Sequence, residues 1–542
     1  MKMKTLSVVI KIAVAAMALP AMADQGISSS AAPYLQAVAP GVNFTSVLTT
    51  GDAAANNGYH MVGLPDGLGA YDNDDGTFTV LMNHEIGNTL GVLRDHNGTG
   101  AFVSEWVIDK NTLQVISGSD LIQRVYGWDA LNQLSSTTTS VINFNRFCSA
   151  DLPARGAFYN NKSRLGSKAK IFMNGEESGS TGYAMAHVAS RADKGNSYIL
   201  GKFNLATNGS GSAAVGGWEN LLANPNSGNK TVVIGTNDGG TGIMNNSVAV
   251  YVGNKTNTGS EVDKAGLTNG VLKFIKVANA NDANGVSIDE LLDTTTRTTK
   301  IVSGTAFTLS DGVTDTNVTT FSRPEDGAWS DAKTFYFVTT DQIDETDLTG
   351  GTKKGGTRLW KLNFNADYTG GTIDVVVDAA TWDVALSGPK PVMFDNMNVN
   401  VDGTLTLQED VGGADHNGKM WLYEPKNASM TMLSKFDPAL FGDVVAGSVT
   451  AGTHTNDEET SGVIDITRIL DREDDKRYSL LVAQNHASAG KLQGLGAIST
   501  AATATELVQG GQLLVMSRKH ISEHEHEHED NDHRDRNHRD RD

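Results

Sequence analysis

Acidic and amide side chains stand at the ends of several short apolar segments of the sequence. Such segments end in TVLMNHE, KIFMNGEE, TVVIGTND and LTLQED, and SRPEDG and MFDN carry similar residues. A single Asp or Glu at a strand end is most simply a solvated turn residue. Several of these acids are paired, however, and converging carboxylates repel one another unless a cation is present. Oxygen-rich clusters suit calcium, magnesium or ferric iron. We therefore predict a metal site whose candidate ligands are Glu85, Glu176, Glu177, Asp238, Glu325, Asp326, Asp395, Glu409 and Asp410.

The acidic segments alternate with runs rich in β-branched and aromatic residues, such as Thr77 to Met82 and Thr334 to Thr339. Gly, Asn and Asp bound these runs, as is typical of strands joined by turns. Few segments have helical periodicity, and Gly182 to Ala189 is one of the better candidates. In a β-propeller the equivalent strand of each blade lines a central channel, where similar strand endings would converge. We predict an all-β, propeller-like single domain with long loops over residues 24–518.

The N-terminus has the pattern of an export signal. Lys2 and Lys4 precede an apolar run at residues 12–19, and the small-residue cleavage pattern AMA follows at residues 21–23. The run is too short to span a bilayer. We predict a Sec-type signal peptide over residues 1–23 and a periplasmic or extracellular mature protein. The alternative is an N-terminal core helix.

The last residues, 519–542, are rich in His, Asp, Glu and Arg and have no apolar periodicity. This composition predicts a disordered tail. His524, His526 and His528 could capture zinc, copper or nickel without a fixed geometry. The alternative is a solubilising tail.

The chain is strongly acidic, with a formal charge of −20 at neutral pH. Nucleic acids and anionic membranes would be repelled, so metal ions are the expected counter-charge. A single cysteine, Cys148, excludes an internal disulfide framework. The sequence does not indicate an oligomeric state.

The order of NHE, a lone Cys, GEE, GWEN, a strand ending in ND, RPEDG, FDN and QED resembles the PhoX-type alkaline phosphatases. The resemblance extends from Leu48 to Ala487 and is to a divergent branch. It implies a six-bladed β-propeller with calcium and iron at one end of the channel. It also implies hydrolysis of phosphate monoesters outside the cytoplasm, so that small phosphorylated molecules are the expected substrates.

The resemblance also implies roles for individual residues. Glu219 and Cys148 join the candidate metal ligands, Cys148 as a thiolate bound to iron. Arg323 is expected to bind phosphoryl oxygens and to act in catalysis, since its planar fork suits a bidentate contact. Asn83 is assigned to catalysis and Asn396 to substrate binding. The sequence departs from the family at two positions: Gly175 stands where cysteine is common, and Asp326 where an aromatic residue is more usual.

Alternatives remain for the residues and for the whole protein. Cys148 could be an inert buried residue, and Arg323 could form a structural ion pair with Glu325. The whole chain could be a catalytically silent, calcium-stabilised propeller that acts as a binding or structural module. A propeller hydrolase acting on another ester, such as a lactone, is a third hypothesis.

Overall fold

The computed structural model describes residues 24–132, 134–203, 216–239, 242–278, 289–342, 355–387, 389–412, 417–445 and 448–520. The predicted signal peptide, residues 1–23, and the tail histidines His524, His526 and His528 lie outside the described residues. Strands make up 49% of the chain and helices 8%, so the predicted all-β class is confirmed. The segment from Gly182 to Ala189, predicted as helical, is instead largely a strand, Ala184–Val188.

The strands form six blades, and the strands of each blade follow one another from the channel outward. Blade 1 contains Pro65–Asp72, Thr77–His84, Phe102–Asp109 and Val115–Asp120. Blade 2 contains Phe147–Asp151, Ile171–Gly182, Ala184–Val188, Asn196–Ile199, Arg124–Asp129 and Leu134–Ser140. Blade 3 contains Gly216–Ala223, Lys230–Asn237, Val248–Asn254, Val271–Val277 and Thr305–Ser310. Blade 4 contains Pro324–Trp329, Thr334–Thr339, Arg358–Phe364 and Gly370–Asp378. Blade 5 contains Phe394–Val399, Leu405–Glu409, Lys419–Glu424, Ser429–Phe436 and Leu35–Ala37. Blade 6 contains Glu458–Asp465, Lys476–Ser488, Gln509–Lys519, Asn43–Thr49 and Asp24–Gln25.

The remaining elements are short and decorate the blades. Three small hairpins are Tyr159–Asn160 with Leu165–Gly166, Leu291–Asp293 with Thr298–Thr299, and Asp443–Val445 with Ser448–Thr450. The α-helices are Glu261–Lys264, Val384–Ser387, Pro438–Phe441, Thr467–Leu470, Ala489–Gly494 and Ala504–Leu507. The 3₁₀ turns are Arg155–Ala157, Gly201–Phe203, Gly242–Met244 and Ala379–Thr381. None of these described helices has the length and apolar character that a bilayer crossing requires.

The two ends of the described chain meet in blade 6. The strand Asn43–Thr49 pairs antiparallel with Gln509–Lys519, so that Phe44 faces Met516 in the ladder. Hydrogen bonds between a strand near the N-terminus and the last strand of the described chain therefore close the circle of blades. The six innermost strands contact one another in sequence around this circle, blade 1 against blades 2 and 6. They enclose the central channel, as the propeller prediction required.

Apolar side chains fill the space between neighbouring blades. One core cluster lies between blades 2 and 3 around Trp218 and Met173, and another joins blades 1 and 6 around Trp106 and Leu480. Because both faces of a blade are covered by its neighbours, the middle strands are almost continuously buried, as in Thr77–His84. A buried acid on the channel side is thus held in a rigid frame.

Candidate metal centre

One end of the channel carries a ring of acidic side chains to which every blade contributes. The innermost strands provide Asp66, Cys148, Glu219, Glu325, Asp395 and Glu459, in blade order. The second strands of blades 1, 2 and 5 add Glu85, Glu177 and Asp410; Glu85 and Asp410 directly follow their strands, and Glu177 lies within its strand. We call these nine residues the carboxylate ring. They surround a cavity of about 30 Å³, which is enough for a very small number of ions or waters.

Local irregularity in the innermost strands aims these side chains at the axis. In blades 1 to 5 the ladder between the first and second strands shifts register where the ring residue stands. In blade 4, for example, Pro324 pairs with Thr339 and the next pair is Gly327 with Phe337, so that Glu325 and Asp326 lie in the bulge. A bulge releases residues from the ladder and redirects their side chains. Here it turns an acid into the channel.

Four blades share a further backbone feature two residues before the ring residue. At these positions φ is positive, between 47° and 60°, in a region that non-glycine residues rarely adopt. The four residues are Leu64, Arg146, Arg323 and Met393. Strain of this kind occurs where the surrounding structure holds it in place, often at functional sites.

The carbonyl of each of these strained residues accepts a backbone hydrogen bond from a residue of the second strand or from the residue directly after that strand. Glu85 donates to Leu64 at 2.9 Å, and Asp410 donates to Met393 at 3.1 Å. The equivalent donors in blades 2 and 4 are Glu177 and Thr340. This repeated contact places these donor residues beside the start of the first strand, which is why both strands contribute to one ring.

The ligand atoms of the ring fall into four overlapping triads, in each of which the atoms lie within 4.8 Å of one another. The triads are Asp66–Glu85–Cys148, Cys148–Glu177–Glu219, Glu219–Glu325–Asp395 and Asp395–Asp410–Glu459. Neighbouring triads share Cys148, Glu219 or Asp395. A shared carboxylate or thiolate can bridge two cations, so the arrangement suits a cluster of ions.

Two arginines stand beside the ring and are only partly covered. The side chain of Arg146 is 48% exposed, and its Nη2 lies 2.6 Å from both Glu85 Oε1 and Glu177 Oε2. The side chain of Arg323 is 38% exposed, with Nη2 at 3.0 Å from Asp238 Oδ2 and 3.2 Å from Glu325 Oε1. Each guanidinium thus joins two carboxylates while keeping part of its surface open. The ion pair of Arg323 with Glu325, which the sequence left as an alternative, is present.

Two guanidinium groups cannot balance the eight carboxylates of the ring. Burial raises the pKa of Glu219 to about 7 and that of Glu177 to about 8. Burial, followed by repulsion from neighbouring acids, raises the pKa of Glu325 and Asp395 well above the usual range. These acids would therefore take up protons unless cations compensate their charge.

Individual atoms of the ring also fit a cation. The Oδ1 atom of Asp66 is buried and has no hydrogen-bond partner among the described residues, although buried polar atoms are normally satisfied. The pKa of Glu85 falls despite burial, because Arg146 and the amide of Gln484 favour its charged form. Burial and the surrounding acids raise the pKa of the Cys148 thiol. A cation would favour the thiolate instead.

Side chains from opposite blades form a floor directly beneath the ring. The hydroxyl of Ser149 lies 2.5 Å from Glu219 Oε1 and 3.1 Å from Asn396 Oδ1. The backbone N–H of Gly462 also donates to Asn396 Oδ1, at 2.9 Å. Below this floor the channel opens into a separate cavity of about 450 Å³ whose lining includes Asn396 and Asp326. Asn396, predicted to bind substrate, therefore lies in the floor and not among the residues that line the ring cavity.

Several predicted site residues lie outside the ring. Asp326 accepts hydrogen bonds from Asn220 Nδ2 at 2.6 Å and from the Met397 backbone, and burial raises its pKa to about 8. Glu409 accepts from Trp421 Nε1 at 2.8 Å and from the backbone of Val392. Both face away from the ring because the neighbouring residue, Glu325 or Asp410, occupies the channel-facing position.

Glu176, Asp238 and Asn83 are close to the ring without lining its cavity. Glu176 accepts backbone hydrogen bonds from Asn145 at 2.7 Å and Tyr183 at 2.9 Å. Asp238 accepts a hydrogen bond from Arg323 Nε at 3.0 Å. Asn83 is fully buried and donates to the carbonyl of Cys148 at 2.6 Å, so its amide supports a ring strand. This geometry places Asn83 behind the site rather than within it.

Gly175 leaves no room for a side chain. A Cβ atom at this position would lie 2.2 Å from Cβ of Trp218, which is buried on the innermost strand of blade 3. No side chain fits unless the tryptophan moves. Cys148, whose Sγ lies 3.3 Å from Glu177 Oε2, is the thiol that the ring contains.

The sequence prediction missed Asp66, Glu459 and Arg146. Five innermost strands share the pattern of a Pro or aromatic residue, a ring residue and a small or polar residue: PDG, FCS, WEN, PED and FDN. That pattern would have found Asp66, which follows Pro65. Arg146 occupies, in blade 2, the position that Arg323 occupies in blade 4. Glu459 does not follow the pattern, and only the fold brings it into the ring.

The fold and the ring together define a six-bladed β-propeller with an acidic cluster at one channel end. In structural comparison, the chain is similar to PhoX of Pseudomonas fluorescens in complex with vanadate, a transition state analogue. The TM-score is 0.53 and the identity 9%, over 92% of this chain and 97% of that one. The periplasmic gluconolactonase PpgL of Pseudomonas aeruginosa is matched with a TM-score of 0.32 and 12% identity, over 78% of this chain and 82% of that one. No protein-family model and no curated protein matches the sequence. The similarity to PhoX is a distant relationship in fold.

Proposed function

We propose that this protein is an exported, metal-dependent phosphatase that hydrolyses phosphate monoesters at the carboxylate ring. The observation that carries the proposal is the convergence of eight carboxylates and one thiol in overlapping triads, with two partly exposed arginines beside them. The fold shared with a PhoX protein whose structure contains vanadate supports it. Export rests on the N-terminal sequence pattern alone and stays a prediction.

The donor sets suggest which residues would hold which cation. The two triads that contain Cys148 offer a thiolate beside oxygens, and a thiolate is a ligand for transition metals such as iron rather than for calcium, which takes oxygen ligands. The triads Glu219–Glu325–Asp395 and Asp395–Asp410–Glu459 offer only carboxylate oxygens, which suit calcium. Cations bound there would supply Lewis-acid neutralisation of phosphoryl oxygens.

The arginines supply the part of the site that belongs to the chain itself. Arg146 and Arg323 stand on opposite sides of blade 3 in the blade order, each anchored by two acids. A phosphate monoester is a dianion, and a guanidinium can bind two of its oxygens in a bidentate contact. Anchoring the arginines before substrate arrives reduces the reorganisation that transition-state stabilisation requires. Arg146 thus joins Arg323 as a candidate substrate-binding residue.

The test begins with the metal content of the purified protein, measured by mass spectrometry. Turnover of p-nitrophenyl phosphate is then measured with calcium and iron supplied. Glu325→Gln should reduce turnover by more than about 100-fold, because it removes a charged ligand from the ring. Asp326→Asn is the matched control, because Asp326 directly follows Glu325 and its side chain lies below the floor of the ring. Absence of turnover with cations demonstrably bound would exclude the phosphatase.

The second candidate function is a catalytically silent, calcium-stabilised propeller. The ion pairs of Arg146 and Arg323 favour it, because both arginines already have carboxylate partners. It predicts bound calcium without iron, and thermal stability that depends on calcium without turnover of any phosphate ester.

A further inference from the structure

In three blades, the second strand carries an amide side chain near the ring, and this side chain points toward the neighbouring blade. These residues are Asn83 in blade 1, Gln408 in blade 5 and Gln484 in blade 6, and all three are fully buried. Asn83 and Gln408 hydrogen-bond to backbone atoms of the next blade. Gln484 instead hydrogen-bonds to two ring side chains.

Gln484 connects the ring across the join between blades 6 and 1. Its Nε2 lies 3.0 Å from Asp66 Oδ2 and 3.0 Å from Glu85 Oε2. The two hydrogens of one amide can serve both acids at once. Its Oε1 is buried without a hydrogen-bond partner among the described residues. A buried acceptor left in this state costs free energy, so the orientation is set by the two carboxylates.

An uncharged donor has a specific advantage at this position. Asp66 and Glu85 belong to one triad and repel each other when both are charged. A lysine in place of Gln484 would hold them together but would also cancel the charge that attracts a cation. The amide holds the same geometry and leaves the charge of both acids available.

We infer that Gln484 is a positioning residue that, from blade 6, prepares Asp66 and Glu85 of blade 1 to bind one cation. The inference rests on the proposed function only in requiring that the ring binds cations. Residues that orient metal ligands typically change metal affinity by roughly 10- to 100-fold when replaced. The effect should fall on the ion held by the Asp66–Glu85–Cys148 triad.

The experiment compares Gln484→Met with Gln408→Met in the full mature chain. Methionine has a similar volume and no amide, so both variants lose a buried amide at equivalent positions. The proteins are stripped with a chelator, and calcium and iron affinities and stoichiometries are measured by titration calorimetry. Thermal unfolding of the metal-free proteins reports the structural cost.

The inference predicts that Gln484→Met weakens the binding of one ion by at least about tenfold. Gln408→Met should bind ions as the unaltered protein does while losing a comparable amount of stability. Equal affinities in the two variants would overturn the inference. Gln484→Asn keeps an amide on a shorter side chain and should give an intermediate affinity, which decides the matter if Gln484→Met does not fold. If the unaltered protein binds no cation at all, the proposed function fails first, and that outcome is distinct.

Discussion

The hydroxyl of Ser149 lies 3.1 Å from Asn396 Oδ1, although the two residues belong to opposite blades, 2 and 5. This contact crosses the channel, and Asn396 also lines the larger cavity below the ring. It also holds Glu219, which lies 2.5 Å from the same hydroxyl. Side chains from opposite blades therefore meet across the channel beside the ring.

Removing that hydroxyl should loosen the floor of the ring. Ser149→Ala leaves Glu219 Oε1 without a side-chain donor in a buried place, and such a loss typically costs about 1–3 kcal/mol. We expect a lower free energy of unfolding in the metal-free protein, measured by denaturant titration. Ser140→Ala, at an exposed position in the outermost strand of blade 2, serves as control. An unfolding free energy equal to that of the control would show that the floor contact contributes nothing.

The two arginines should respond to Lys substitution as phosphate-binding forks would. Arg323→Lys and Arg146→Lys keep the charge but lose the bidentate geometry. We expect kcat/KM for p-nitrophenyl phosphate to fall by roughly 100-fold in each, together with weaker inhibition by inorganic phosphate. Arg124→Lys is the control, because Arg124 hydrogen-bonds Asn196 in the outer part of blade 2. If inhibition by inorganic phosphate is unchanged, the two arginines form structural ion pairs only and do not bind phosphate.

Much of the architecture was accessible from the sequence, because alternating apolar runs and turn residues specify strands locally. The acids at strand ends also pointed to one end of the channel. Which member of an acid pair faces the axis was not accessible. Glu325 and Asp326 differ only in their place within a bulge, and bulges arise from pairing with another strand. The same holds for Asp410 and Glu409.

The position of the innermost strands explains why the sequence prediction did not find the other ring residues. The prediction assigned the channel to strand endings such as NHE and QED, whereas these belong to second strands. The axis is lined by the beginnings of the first strands, including Asp66 and Glu459. The sequence segments at these strand beginnings are short and resemble ordinary turns. Gly182 to Ala189 failed similarly, because small apolar residues suit a strand buried on both faces as well as a helix.

The metal-free protein should lose stability as pH rises from about 4.5 to about 8. Glu219 and Glu177 have folded-state pKa values of about 7 and about 8, raised by burial above the ordinary 4.5. In this window the folded state binds more protons than the unfolded state, so the free energy of unfolding decreases with rising pH. We expect a lower Tm at pH 8 than at pH 5 in chelator, measured by calorimetry.

Calcium should remove most of this pH dependence, because a bound cation stabilises the charged carboxylates that protons otherwise neutralise. In chelator, Glu219→Gln should make the decrease of Tm with rising pH less steep, since the glutamine side chain does not titrate. A Tm that rises between pH 5 and pH 8 in chelator would contradict the account of the ring as a site of uncompensated charge.

Introducing a cysteine at Gly175 should destabilise this protein. The new Cβ would lie 2.2 Å from Cβ of Trp218, so the buried indole or the strand must move. Overpacking of this kind typically costs about 1–3 kcal/mol. Gly494→Cys is the control, because nothing lies within 4 Å of a Cβ added there. Thermal unfolding should show a clear loss of stability for Gly175→Cys and none for the control.

The double variant tests the cause of this loss. Gly175→Cys combined with Trp218→Gly should lose less stability than the sum of the two single losses, because Trp218→Gly removes the Cβ atom with which the new side chain collides. Additive losses would mean that Trp218 is not the reason for the glycine.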